Sequence, residues 1–149
     1  MDKKQLFTIL AKADREIVAS LSDDIQKNHN VTVVKEPAKT LAMIKLREPV
    51  KQSLFYMGEV IVSEAVVELD GAKGMGVTMG DDTEKALHMA VIDAAINHHV
   101  FTGMDILLKL EQEQKDFIMR ENAMHLKTMV NFNSMDGEVP SDVNAFKKV

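Results

Sequence analysis

The spacing of apolar residues changes period twice along the chain, and the two changes divide it into helix, sheet and helix. Near the start, Leu6, Phe7, Leu10 and Ala13 recur at the interval of one helical face. Asp14 is an N-cap residue type, and after it Ile17, Val18, Leu21 and Ile25 repeat at the same interval. Asn28-His29-Asn30 ends this second run. The pattern predicts a helical hairpin.

From Val31 the period shortens towards two. Val31–Glu36 is rich in β-branched residues and is closed by Pro37. Thr40–Arg47 alternates, with Ala42, Ile44 and Leu46 on one face and Lys45 and Arg47 on the other, until Glu48-Pro49 breaks it. Phe55–Leu69 is the longest strand signal. Within it, Val60-Ile61-Val62 and Ala65-Val66-Val67 are apolar on both faces. A sheet with one face in water alternates more cleanly. The second face must therefore be covered by helices of this chain or by another polypeptide. Asp70-Gly71 predicts a tight turn, because glycine takes positive φ at little cost, and Gly74–Met79 reads as the returning strand. The expected sheet has about four antiparallel strands.

The helical period then returns. Asp81 with Glu84 three residues on has the form of a capping box, and Leu87, Ala90, Val91, Ala94 and Ala95 form a buried stripe. Gly103 follows, and Thr102 with Asp105 repeats the capping pattern. A long last helix is expected from about Met104 to Met129. Its apolar seam of Leu107, Leu110, Phe117 and Met124 is interrupted by Gln114 and Glu121, which suits a helix that lies along a partner or packs only in part. Gly137 and Pro140 suggest a loosely ordered tail over residues 131–149. The expectation is one α+β domain over residues 1–149: a helical hairpin, an antiparallel sheet and two C-terminal helices.

Composition narrows the chemistry. Apolar residues make up 46% of the 149, but aromatics only 5%, with no Trp and eleven Met. The core must rest on aliphatic side chains, and flexible methionines also suit broad protein–protein contact. With no cysteine, the chain has no disulfide, thiolate zinc site, iron–sulfur ligand or Cys nucleophile of its own. A net charge of −5 with scattered Lys and Arg argues against a nucleic-acid footprint. No stretch approaches the roughly 20 apolar residues of a membrane span. The opening MDKKQLFTILAKADRE lacks the apolar run of a signal peptide, so the cytoplasm is the expected location.

Candidate sites are sparse. Gly74, Gly76 and Gly80 lie between a strand and a helix, but their spacing fits no phosphate-binding loop. Asp81, Asp82 and Glu84 also make that helix N-terminus hostile to an anion. A tight hairpin with close helix–sheet packing accounts for the glycines. Among His29, His88, His98, His99 and His125, no pair has the i, i+4 spacing of a helical metal site. His88 follows Glu84, and His125 follows Glu121, by one helical turn; both read as surface pairs. Asp93 sits in an apolar run and needs a partner if buried, as a structural anchor or as an acid. Glu59 and Glu64 interrupt an apolar strand; Glu64 faces solvent or a partner's basic group. No Ser lies in a G-x-S-x-G elbow.

The run from Phe55 to Phe101 carries a composite pattern: Phe55-x-x-Gly58, a Val-rich strand with Val60, Ala65 and Val67, then Asp70-Gly71. Gly74, Gly80 and Asp82 follow, and then Ile92-Asp93-Ala94 within a helix. Together with Leu10-Ala11 near the start and Thr128-Met129-Val130 near the end, it resembles the G subunit of the bacterial carbon–phosphorus lyase core complex, the PhnG family. Asp81 departs from that pattern, where many members have a basic residue. The segment after Met135 is individual.

The resemblance implies a role in phosphonate catabolism. It implies an accessory subunit that acts with the I, H and L subunits to transfer the triphosphoribosyl group of ATP to an alkylphosphonate, with release of adenine. Such a chain is part of an alpha-D-ribose 1-methylphosphonate 5-triphosphate synthase and is not catalytic alone. The J subunit, with its iron–sulfur cluster and S-adenosylmethionine, then cleaves the carbon–phosphorus bond. The resemblance carries no catalytic, cofactor-binding or metal-ligating residue onto this chain. It leaves Gly58, Glu59, Glu64, Asp70, Gly71, Gly80, Asp82 and Asp93 as structural or subunit-contact positions. Two other readings stay open on the residues alone: a free-standing homo-oligomer that binds a small ligand, and a hydrolase that uses Asp93 with a histidine.

Overall fold

In a computed structural model, residues 2–130 are described. The tail expected over residues 131–149 lies outside them. The element order is α1 (Lys3–Lys12), α2 (Arg15–Asn28), β1 (Val31–Arg47), β2 (Leu54–Leu69), β3 (Ala72–Met79), α3 (Thr83–Asn97) and α4 (Met104–Lys127). Residues up to Asp116 form one compact unit, and Phe117 onwards belongs to a second.

The sheet has three antiparallel strands in the order β1-β2-β3. The expected count was about four, because Pro37 reads as a strand end. Instead Val31–Glu36 and Thr40–Arg47 belong to a single strand. Its register slips between Val33 and Lys35 and again between Lys35 and Ala38, so bulges carry the chain past Pro37. Proline is tolerated there because β1 is an edge strand. The β2–β3 turn is as expected: Asp70 and Gly71 have φ of 46° and 90°, the pair of positive values that a two-residue hairpin needs.

The core lies between one face of the sheet and the helices. Ala65, Val67 and Leu69 of β2 are fully buried, with Leu6, Ile9 and Leu10 of α1, Val18 and Leu21 of α2, and Leu107 of α4. α3 is buried on almost every side, not only along the expected stripe: Ala86, Met89 and Ile92 are as enclosed as Ala90 and Ala94. A helix apolar all round is a central one, and α3 lies between the sheet and α2. Leu107 and Leu110 anchor the first part of α4, and Gln114 Nε2 donates to Ile9 O at 3.0 Å. In the second unit, Phe117, Met124 and Leu126 are exposed.

The sheet is uneven in length. β3 pairs with β2 only from Val62 to Leu69, whereas β1 pairs with β2 from Leu54 to Leu69. The outer stretch, Leu41–Arg47 with Leu54–Ile61, is therefore a two-stranded ribbon that extends past β3.

Candidate functional site

Asp93 is 1% exposed on α3 and faces the outer edge of β3. Met75 N–H donates to its Oδ2 at 3.0 Å, and Lys3 Nζ lies 3.1 Å from the same oxygen. One turn on, Asn97 Nδ2 donates to Lys73 O at 2.8 Å. These two side chains satisfy backbone groups on the β3 edge, as a fourth strand would. Asp93 Oδ1 is buried without a partner, so the carboxylate is not presented to solvent. A shallow cavity of about 280 Å³ beside it is lined by Lys3, Leu6, Ile96, Asn97 and Met104.

The glycines of β3 bring α3 close. A Cβ on Gly74 would lie 2.2 Å from Ala90 O, and one on Gly76 would lie 1.9 Å from Ala86 O. Ala86, Ala90 and Ala94 supply the matching small-residue face on α3. The strand–helix junction is fixed by Ser63. Its Oγ donates to Gly80 O at 2.9 Å and accepts from Asp82 N–H at 3.0 Å. Gly80 has φ 92°, which turns the chain off the sheet. Asp82, not Asp81, is the N-cap: its Oδ1 accepts from Lys85 N–H at 3.0 Å. Asp81 instead pairs with Lys39 at 2.9 Å.

Lys85 is buried, in a role that the reading of the sequence missed. Its Nζ donates to Ala11 O at 2.8 Å and Ala13 O at 2.7 Å, closing the end of α1. Burial lowers its pKa, against the pull of Asp82 and Asp14. The spacing Lys85, Met89, Ile92 is the signal that places it on an inward face. His88 also departs from the expected surface pair. Glu84 is held by Arg15, and His88 Nδ1 is buried with no partner. Burial lowers its pKa, with Arg15 acting the same way and Asp23 and Asp82 opposing.

The remaining positions lie on the sheet. Glu64 is neither free nor dependent on a partner chain, because Lys35 of β1 pairs with it. Asp70 Oδ2 lies 3.0 Å from His29 Nδ1. Gly58 and Glu59 are in the ribbon, opposite Ile44 and Met43. By the strand alternation, Met75 and Met79 face away from α3, and they are 44% and 71% exposed. On the ribbon, Leu41, Tyr56 and Ile61 are exposed on one face and Leu46 and Phe55 on the other. Among the described residues no three His, Asp or Glu side chains converge as a metal site. A second cavity, of about 400 Å³, lies beside Leu21, His29 and Phe101. Among the described residues no helix is long and apolar enough to cross a membrane.

A family model described as phosphonate metabolism protein PhnG matches residues 1–137. The chain belongs to the PhnG family. No curated protein matches it. PhnG membership places the chain in phosphonate metabolism. The residues that carry the PhnG pattern have plain architectural tasks in this structure. Asp70-Gly71 makes the hairpin, Gly74 admits the helix, Gly80 and Asp82 start it, and Asp93 closes the sheet edge.

Proposed function

We propose that this PhnG-family chain is an accessory subunit of the carbon–phosphorus lyase complex. It acts with the I, H and L subunits in transferring the triphosphoribosyl group of ATP to an alkylphosphonate, adenine being released. It contributes surface and orientation, and no reacting group. The observation that supports this reading is the ribbon: large apolar side chains on both faces of two strands that extend past the core. A two-stranded ribbon is marginal in water by itself, and such surface suits a permanent neighbour. The acids and imidazoles fit the same picture, since Asp82 and Asp93 are bound to backbone groups and His88 is half-buried.

The test is co-expression with the I, H and L subunits, followed by an assay of adenine release from ATP and methylphosphonate. The expected result is a co-purifying assembly that releases adenine, while the chain alone releases none. An assembly with full activity in its absence overturns the reading.

A further inference from the structure

The two oxygens of Asp93 are used unequally. Oδ2 accepts from Met75 N–H at 3.0 Å, lies 3.1 Å from Lys3 Nζ and is 3.4 Å from Asn97 Nδ2. Oδ1 is buried and meets no donor among the described residues. Oδ2 alone therefore ties α3 to the β3 edge, and Oδ1 is left over from that task. Buried acceptors are nearly always paired. A donor brought to Oδ1 gains a charge-assisted hydrogen bond without disturbing the one to Met75.

Asp93 lines the shallow cavity of about 280 Å³. Pockets that enclose a whole small molecule run to roughly 300–1,000 Å³, so this one suits a single group of side-chain size. Leu6, Ile96 and Met104 give it apolar walls. Asn97 also lines it and bonds through Nδ2, to Lys73 O at 2.8 Å and to Asp93. Asn97 Oδ1 is thus a second acceptor that meets no donor among the described residues. Lys3 is the cation of the lining. It stands on the first residue of α1 with its side chain 55% exposed, so its ion pair is screened and its long stem is able to turn out to solvent. Lys3 also shows what an ammonium achieves here: it meets one oxygen and leaves the other bare.

We infer that this cavity binds a guanidinium group, which takes the place of Lys3 and bridges both oxygens of Asp93. With Lys3 seated, Oδ1 is closed from solvent; turning Lys3 out opens the carboxylate to the cavity. A guanidinium is a planar fork of donors that spans a carboxylate, where a point charge meets one oxygen. Its remaining N–H groups have Asn97 Oδ1 as acceptor, and its aliphatic stem has Leu6, Ile96 and Met104 as walls. The inference concerns the chain by itself and does not rest on the accessory-subunit reading. The guanidinium comes from an arginine of another subunit or from a small free compound, and the experiment tells these apart.

The probe is methylguanidinium, titrated into the isotope-labelled full chain alongside methylammonium at equal ionic strength, with amide spectra as the readout. Saturable shifts are expected at the Met75 amide and the Asn97 side-chain amide, with methylguanidinium bound about fivefold or more tightly than methylammonium. Lys3→Met removes the resident cation and is expected to tighten binding about threefold or more. Asp93→Asn keeps an oxygen for Met75 but sets an amide nitrogen at the other position, and is expected to lose the shifts while melting as a folded chain. No saturable shift in the wild type and in Lys3→Met overturns the inference, the cavity then holding water alone. Equal affinity for the two cations overturns it, as do shifts that folded Asp93→Asn retains. Should Asp93→Asn unfold, Lys3→Met decides, and unchanged affinity there overturns it. Co-purification with the I, H, J and L subunits then identifies the source. Capture reduced about tenfold or more in folded Asp93→Asn supports a partner's arginine, and equal capture supports a free compound. A wild-type chain that captures no subunit overturns the accessory-subunit reading, and the titration still supports the site.

Discussion

The Asp93 carboxylate and the Met75 amide, eighteen residues apart, meet at 3.0 Å and tie α3 to the edge of β3. Losing this bond leaves a backbone donor on a part-buried edge and removes the partner of Lys3. Asp93→Ala is expected to cost about 2–4 kcal/mol, most of it from the unpaired backbone group, since Lys3 is half exposed and its ion pair is screened. Asp93→Asn keeps an acceptor oxygen and is expected to cost about 1 kcal/mol. Urea denaturation measures both. In the assembled complex, Asp93→Asn is expected to keep adenine release, and a loss of activity with intact assembly would instead mark Asp93 as a reacting acid.

Gly76 stands where no side chain fits. The Cβ of Gly76→Ala would meet the Ala86 carbonyl, which is backbone and cannot rotate away. The strand and helix must separate, at an expected cost of about 3 kcal/mol or more. Gly58→Ala is the contrast: nothing lies within 4 Å of its Cβ, so a change within about 0.5 kcal/mol is expected. Thermal melting of the two variants separates close packing from simple glycine flexibility.

Lys85→Met removes a buried ammonium but keeps much of its apolar stem. The carbonyls of Ala11 and Ala13 then lose their donor. The expected cost is about 1–3 kcal/mol, read by urea denaturation, with loss of amide protection at the end of α1 in hydrogen exchange.

His88 makes stability depend on acid. Its folded pKa lies below the ordinary value of 6.5 because burial disfavours the imidazolium. The unfolded chain therefore binds the proton first, and stability falls as pH drops from 6.5 through the lowered value. Arg15 faces it and adds to the effect; Asp23 and Asp82 oppose it. Melting temperatures from pH 7.5 to 5 are expected to fall more steeply for the wild type than for His88→Gln.

The helices were legible because their signals are local. The last helix was expected over Met104–Met129 and runs over Met104–Lys127. The hairpin turn at Asp70-Gly71 was legible for the same reason. What the sequence hid depends on distant residues. Pro37 ends a strand by local rules, yet an edge strand with bulges absorbs it. Asp81 with Glu84 reads as the cap by local rules, yet Asp82 is the N-cap, its amide bonded by Ser63 nineteen residues earlier. Glu64 meets Lys35 only once β1 and β2 are paired. Asp93 could be read as a residue in need of a partner, but not that the partner is the backbone of β3.

Sedimentation of the purified chain with the purified I subunit tests the central claim most directly. A stoichiometric complex heavier than either component is predicted, with adenine release confined to mixtures that contain the I subunit. A chain that sediments unchanged in the presence of the I subunit, or that releases adenine by itself, would contradict it.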